Sequence, residues 1–171
     1  YMLKEMVKEN CKFCFMEVSS HSLSQFRVYA IKYKVGVFTN ISHDHLDYHK
    51  TFENYLRTKK SFFDSLAVDS KLIYNSDDKN SLKIVEDSNA EIKTYSIRNK
   101  TDYSCKVIES TIDGLHLKIN NKEIYTRVCG EFNAYNLLAA YATCIELNLQ
   151  KEMVLIAISN IVAAEGRFEI I

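Results

Sequence analysis

Two short apolar runs constrain this chain more than any other feature. Residues 11–18 (Cys-Lys-Phe-Cys-Phe-Met-Glu-Val) and 35–39 (Val-Gly-Val-Phe-Thr) each pass without a break into a dense polar stretch, Ser19 to His21 after the first and Asn40 to His49 after the second. Brief runs of this makeup read as buried strands. Polar clusters that begin where a buried strand stops are what an open α/β sheet requires, because ligands bind there beyond the carboxyl ends of the strands.

The rest of the chain extends that pattern. Residues 1–9 read as the tail of a helix. Apolar side chains at Phe52, Tyr55, Leu56, Phe62, Phe63 and Leu66 predict an amphipathic helix over 52–66. Strands are expected at 71–74 and 91–97, with a helix at 79–87 between them and a turn at Asn75-Ser76-Asp77-Asp78. Residues 103–109, 112–119 and 122–128 alternate or run apolar and are separated by Asp113-Gly114 and Asn120-Asn121, which are hairpin signals. Helices are expected over 133–147 and 151–162. The fold class that follows is α/β, a mainly parallel sheet flanked by helices with an antiparallel β insert.

Composition narrows the function. Twenty-two basic and 22 acidic side chains cancel, so no basic excess points to nucleic acid. No apolar run approaches the roughly 18 residues that span a membrane, and no secretory leader pattern is present. Five scattered cysteines argue against a disulfide framework and for a reducing cytoplasm. Cys11 and Cys14 form a C-x-x-C, but a second pair at metal-ligand spacing is missing, so they read as buried strand cysteines. Only four glycines and no proline occur, and a glycine-rich phosphate loop is absent from these 171 residues. Either the chain does not bind phosphates by itself, or such a loop lies outside these residues.

The chemistry-bearing residues fall in the two polar clusters. Glu17 stands at the end of the first run, where a carboxylate is costly unless it is paired or metal-bound. Ser19 is placed as a helix N-cap, and Arg27 reads as a surface residue on its own. In the second cluster three of the five histidines, His43, His45 and His49, fall within seven residues together with Asp44 and Asp47. Lys59 is one of two adjacent lysines and by itself reads as a solvated surface residue. Asn133 and Asn136, three apart, share a helix face, with Asn133 also placed to cap the helix.

Together the clusters resemble the Mur ligase family, closest to its MurE branch, the ligases that extend UDP-N-acetylmuramoyl-L-alanyl-D-glutamate. The likeness runs through Met16-Glu17-Val18-Ser19-Ser20-His21 and Phe38-Thr39-Asn40-Ile41-Ser42-x-Asp44-His45-Leu46-Asp47-Tyr48-His49. It continues through Tyr55-x-x-x-Lys59, Asn75-x-Asp77-Asp78, Gly130-x-Phe132-Asn133-x-Tyr135-Asn136 and Glu165-Gly166-Arg167-Phe168-Glu169. The resemblance implies that residues 1–171 are part of the central ATPase domain, with the UDP-binding N-terminal domain, the phosphate loop and the amine-receiving C-terminal domain outside the chain.

It also implies an ATP-dependent amide ligase of peptidoglycan biosynthesis, cytoplasmic and monomeric at full length. The substrates would be the UDP-muramoyl-dipeptide and a third amino acid, meso-diaminopimelate or L-lysine, joined through an acyl phosphate, and the chain by itself would be inactive. Glu17 and His45 match the family's magnesium positions, and Lys59 matches a lysine whose carbamate helps hold a second magnesium, Lys60 being the alternative if the register slips by one. Ser19, Gln25 and Arg27 match contacts to the muramoyl dipeptide. Asn133, Asn136 and Arg167 match positions near the nucleotide. The competing readings are another Mur or folylpolyglutamate-type ligase, against which Ser-Ser-His after Met-Glu-Val argues, and a non-catalytic nucleotide-binding module.

Overall fold

The computed structural model describes residues 2–42 and 46–162, Leu46 by its backbone alone. The chain divides into two units, Tyr1–Ile31 and Lys32–Ile171.

In the first unit, helix α1 spans Met2–Lys8 and carries a Lys8–Glu5 ion pair of 2.9 Å on its surface. Helix α2 is the single short turn Ser20–Ser24. The expected strand at 11–18 is not there. Residues 11–17 are exposed and irregular, Cys11 and Cys14 included. A strand exists only where its N–H and C=O groups find a ladder, and no segment among the described residues pairs with this one. The buried-cysteine reading and the placement of Glu17 on a buried strand fall with it.

The second unit is built on a six-stranded sheet in the order β1-β2-β3-β4-β5-β6. Strands β1 (Val35–Phe38), β2 (Lys71–Asn75), β3 (Glu91–Ser96) and β4 (Tyr103–Thr111) run parallel, with Val35 opposite Lys71 and Lys71 opposite Glu91. Strands β5 (Gly114–Ile119) and β6 (Lys122–Thr126) continue antiparallel from β4. The β5–β6 turn is Asn120-Asn121, both at positive φ (42° and 71°), the backbone that a two-residue hairpin with matching twist demands.

Helices cover both faces. Helix α3 is the single turn Leu46–His49. Helix α4 (Phe52–Asp64) is capped by the Thr51 hydroxyl, which accepts from the Asn54 N–H at 3.2 Å, and it buries Tyr55, Leu56, Phe62 and Phe63. It lies close on β1. A Cβ on Gly36 would stand 2.7 Å from Leu66 Cδ1, so only glycine admits the contact without displacement, and Phe38 meets Phe63 edge to face at 5.9 Å. Helix α5 (Ser81–Val85) buries Ile84 and Val85. Helices α6 (Glu131–Glu146) and α7 (Lys151–Ser159) close the other face, where Ile73, Tyr95, Leu115, Leu117 and Ile119 pack with Leu137, Leu138, Tyr141, Val154 and Ile158. The small side chains Ala134, Ala139 and Ala142 are all buried there.

Candidate functional site

In the first unit, Ser19 is the N-cap that its position suggests. Its hydroxyl accepts from the Ser22 N–H at 3.1 Å, and its carbonyl takes the Ser22 hydroxyl at 2.7 Å. Glu17, Gln25 and Arg27 are exposed around this turn. The Gln25 N–H donates to His21 O (3.0 Å) and the Arg27 N–H to Ser22 O (2.9 Å), so both backbones are tied down while the side chains stay open to solvent.

In the second unit, Lys59 and Lys60 have different surroundings although they are adjacent. Lys60 donates to Asp64 Oδ1 at 3.0 Å and lies 2.7 Å from Asp87 Oδ2. Burial pulls its pKa down, but the bonds to Asp87 and Asp64 outweigh this and hold the ammonium above the usual lysine value. Lys59 is half-buried, with Nζ 5.5 Å from the centroid of the Tyr55 ring one turn back. The two aspartates thus favour the charged form of Lys60, whereas carbamylation would need a neutral amine.

The loop after β1 is held from its two sides. Asn75 Nδ2 donates to Thr39 O at 3.0 Å, and Asp78 Oδ2 accepts the Ile41 N–H at 3.1 Å. On the other side, buried His49 stacks on Tyr55 with ring centroids 5.2 Å apart, and its carbonyl accepts from Asn54 Nδ2 at 3.2 Å. His45, between these anchors in sequence, lies outside the described residues.

Helix α6 starts two residues earlier than its apolar pattern suggests, with Gly130 at φ 85° as the cap residue. Asn133 is therefore inside the first turn and not the cap. Its Nδ2 donates to Cys129 O at 2.7 Å, and its Oδ1 accepts Asn136 Nδ2 at 3.0 Å. The two amides form a chained pair at the helix start, with Asn136 exposed. Arg167 lies outside the described residues.

Sequence reasoning passed over Asn75, Asp77, Asp78 and Tyr135 as site-builders. The Asp77 carboxylate accepts the Ser96 hydroxyl (2.7 Å), the Ile97 N–H (3.0 Å), the Tyr135 hydroxyl (3.1 Å) and Asn99 Nδ2 (3.2 Å). Burial pushes its pKa up, but the Ser96, Ile97, Tyr135 and Asn99 donors outweigh it and hold the carboxyl below the usual range. The signal available was the Asn-x-Asp-Asp spelling, which reads as a turn until its distant partners are known.

Among the described residues, no group of three or more His, Cys, Asp or Glu side chains gathers as a metal would require. A separate cleft of about 290 Å³ opens by the β5–β6 hairpin, between Asp113, His116, Tyr125 and Arg127, and none of the candidate site residues lines it.

A parallel sheet continued by an antiparallel hairpin and covered on both faces, with its polar turns at the ends of β1 and β2, defines an α/β domain of the open-sheet class. The chain belongs to the Mur ligase family: the description of the Mur ligase middle domain matches residues 1–144. It is 47% identical over 168 residues to a UDP-N-acetylmuramoyl-L-alanyl-D-glutamate–2,6-diaminopimelate ligase of Cytophaga hutchinsonii, and 37% identical over 178 residues to the enzyme of that name from Bacillus velezensis. Each comparison covers 98% of this chain, which spans about a third of those relatives, 35% and 36%. A solved structure of a ligase with the same name matches at TM-score 0.84 and 26% identity, over 96% of this chain and 35% of that one. A MurF from Acinetobacter baumannii shares the fold at TM-score 0.71 and 19% identity, over 78% of this chain and 30% of that one.

Proposed function

We propose that this chain is part of the central domain of an ATP-dependent ligase that adds meso-diaminopimelate to UDP-N-acetylmuramoyl-L-alanyl-D-glutamate in peptidoglycan synthesis. The reading rests first on the motifs Glu17 to Arg27 and Thr39 to Lys59. The names of relatives at 44–47% identity favour diaminopimelate over lysine. At full length the enzyme would act as a cytoplasmic monomer on the UDP-muramoyl-dipeptide and the amino acid. No described helix is long and apolar enough to cross a membrane.

In the proposed reaction, the D-glutamate carboxylate of the dipeptide attacks the γ-phosphorus of ATP, forming an acyl phosphate and releasing ADP. The amine of the incoming amino acid then attacks the acyl carbonyl, the amide bond forms, and phosphate leaves with the C–O electron pair while the amine loses a proton. Such chemistry depends mainly on positioning and on neutralising phosphate charge.

The chain's own residues divide this work. Arg27, exposed with its backbone tied to Ser22, would grip an anionic group of the muramoyl dipeptide through its planar fork, with Ser19 and Gln25 beside it in sequence. Asn133, Asn136 and Arg167 would contact the nucleotide. Glu17 and His45 would each serve as a magnesium ligand, as would Lys59 in its carbamate form. Glu17 fits in kind, being an exposed carboxylate oxygen donor of the sort a hard cation takes. Lys59 fits in being half-buried on α4, with Nζ 5.5 Å from the centroid of the Tyr55 ring. Bound magnesium supplies charge neutralisation at the transferred phosphoryl group.

The test uses the purified full-length protein with ATP, the UDP-linked dipeptide, and either meso-diaminopimelate or L-lysine. ADP release that needs both the dipeptide and diaminopimelate, with the tripeptide product seen by mass spectrometry, is the expected result. ADP release that ignores the amino acid, or none at all, would overturn the assignment.

A further inference from the structure

The turn after β2 reaches two segments that the proposed function uses for different purposes. In one direction, Asn75 Nδ2 and Asp78 Oδ2 hold Thr39 O and the Ile41 N–H at 3.0 and 3.1 Å, fixing the backbone that leads in sequence to His45. In the other, Asp77 accepts the Tyr135 hydroxyl at 3.1 Å, and Tyr135 stands between Asn133 and Asn136 on α6. The turn also braces itself. Asn75 Oδ1 accepts the Asp77 N–H at 3.0 Å, Asp78 Oδ1 accepts the Asn80 N–H at 2.8 Å, and the buried Ser81 hydroxyl donates to Asn75 O.

We infer that Asn75-x-Asp77-Asp78 is a two-armed positioning device: Asn75 and Asp78 set the loop that leads to His45, and Asp77, through Tyr135, sets the first turns of α6 that carry Asn133 and Asn136. The inference rests on the reading that those segments make the metal and nucleotide contacts. Hydrogen bonds to a carboxylate are about twice as strong as neutral ones, so the two aspartates hold their partners better than an amide or hydroxyl would. Both arms leave one rigid turn of a few residues, braced by Ser81 beneath it. The loop and the helix therefore keep a fixed relation although Thr39 and Tyr135 are far apart in sequence. The aspartates act through the groups they hold, which makes them positioning residues. The two arms use different atoms and different partners, so their effects separate.

The experiment uses the full-length protein and the variants Asp78→Ala, Asp78→Asn and Tyr135→Phe. Hydrogen exchange over residues 39–42 reads the first arm directly, binding of Mn²⁺ followed by electron paramagnetic resonance reads its consequence, and the KM for ATP reads the second arm. Asp78→Ala is expected to expose the 39–42 amides and weaken Mn²⁺ binding about tenfold, the lower end of what losing a support outside the ligands costs a metal site, with the KM for ATP within about twofold. Asp78→Asn keeps an oxygen that can accept the Ile41 N–H and restores most of both losses. Tyr135→Phe is expected to raise the KM for ATP severalfold and leave Mn²⁺ binding unchanged. If Asp78→Ala does not fold, Asn75→Asp keeps an oxygen to accept the Asp77 N–H, removes the donor to Thr39 O and is read in the same way.

Exposure of residues 39–42 without any change in Mn²⁺ binding overturns the inference. So does a pattern in which the Asp78 and Tyr135 variants move the same parameter together. Exchange and Mn²⁺ effects in the Asp78 variants, with no amino-acid-dependent ADP release from the wild-type protein, would reject the ligase reading and leave the Asp78 arm of the turn standing.

Discussion

The Lys59 ammonium lies 5.5 Å from the centre of the Tyr55 ring, one helical turn away, while its neighbour Lys60 is held by Asp64 and Asp87. That difference makes the proposed carbamate site testable by residue. In the full-length protein, Lys59→Ala is expected to cut turnover by two orders of magnitude or more, on the order of 3 kcal/mol in the barrier, and added bicarbonate will not restore it. Lys60→Ala is expected to keep activity and lose only about 0.2–1 kcal/mol of stability, the range of partly exposed ion pairs. Steady-state ADP release and thermal melts on both variants check this, and near-normal turnover in Lys59→Ala would sink the assignment.

Acid stability should carry the signature of Asp77. Its folded-state pKa is depressed, with the Ser96, Ile97, Tyr135 and Asn99 donors outweighing the opposing burial. A depressed carboxyl contributes stability that is fully present above its unfolded value, about 4, and is lost as pH falls through the lower folded value. Asp102 behaves alike, lowered first by the Thr94 hydroxyl that it accepts at 2.6 Å. Melting temperatures are therefore expected to hold between about pH 7 and 5 and to fall below that as unfolding takes up protons. Asp77→Asn, whose side chain cannot titrate, will show a shallower acid limb. An unchanged slope below pH 4 in that variant rejects the role.

The sheet was legible because its signals are local. Val35–Phe38, Lys71–Asn75 and the Asn120-Asn121 hairpin each carry their period or turn chemistry within a few residues. The helix bearing Lys59 was legible from its apolar spacing, and the Ser19 cap from its place ahead of a polar turn. The stretch 11–18 misled because an apolar run states only that burial is favourable, and the ladder partner that would make it a strand is nonlocal. Helices α2 and α3 are single turns, too short for a periodicity to register. The β2 turn was invisible as a site-builder for the same nonlocal reason, since its partners Thr39 and Tyr135 stand 36 and 58 residues from Asn75 and Asp77.

Gly36 tests the close approach of β1 and α4. An added Cβ would meet Leu66 Cδ1 at 2.7 Å and Phe62 Cε1 at 3.2 Å, both on buried side chains. Gly36→Val is expected to cost about 1–3 kcal/mol by overpacking. Leu66→Ala alone is expected to cost about 2–5 kcal/mol by opening a cavity. The double variant should cost clearly less than the sum, because the valine fills space that Leu66 has left and neighbouring sites couple. Urea melts of the three variants give the comparison, and strict additivity would falsify the contact.

Cysteine reactivity sets the exposed stretch before Glu17 apart from the buried strand β4. Cys105 on β4 is 3% exposed, opposite Ile119, and burial pushes its thiol up to about 12. At pH 8 only about one Cys105 in ten thousand is then a thiolate, the form that reacts with alkylating agents. Cys11 and Cys14 lie on the exposed stretch before Glu17. Brief treatment of the native chain with iodoacetamide, read by peptide mass spectrometry, is expected to label Cys11 and Cys14 and to spare Cys105. Labelling of Cys105 should appear only when urea unfolds the sheet, in step with the loss of secondary structure. Modification of Cys105 at the rate of Cys11 in native conditions would mean that β4 opens far more often than a core strand packed under α6 can.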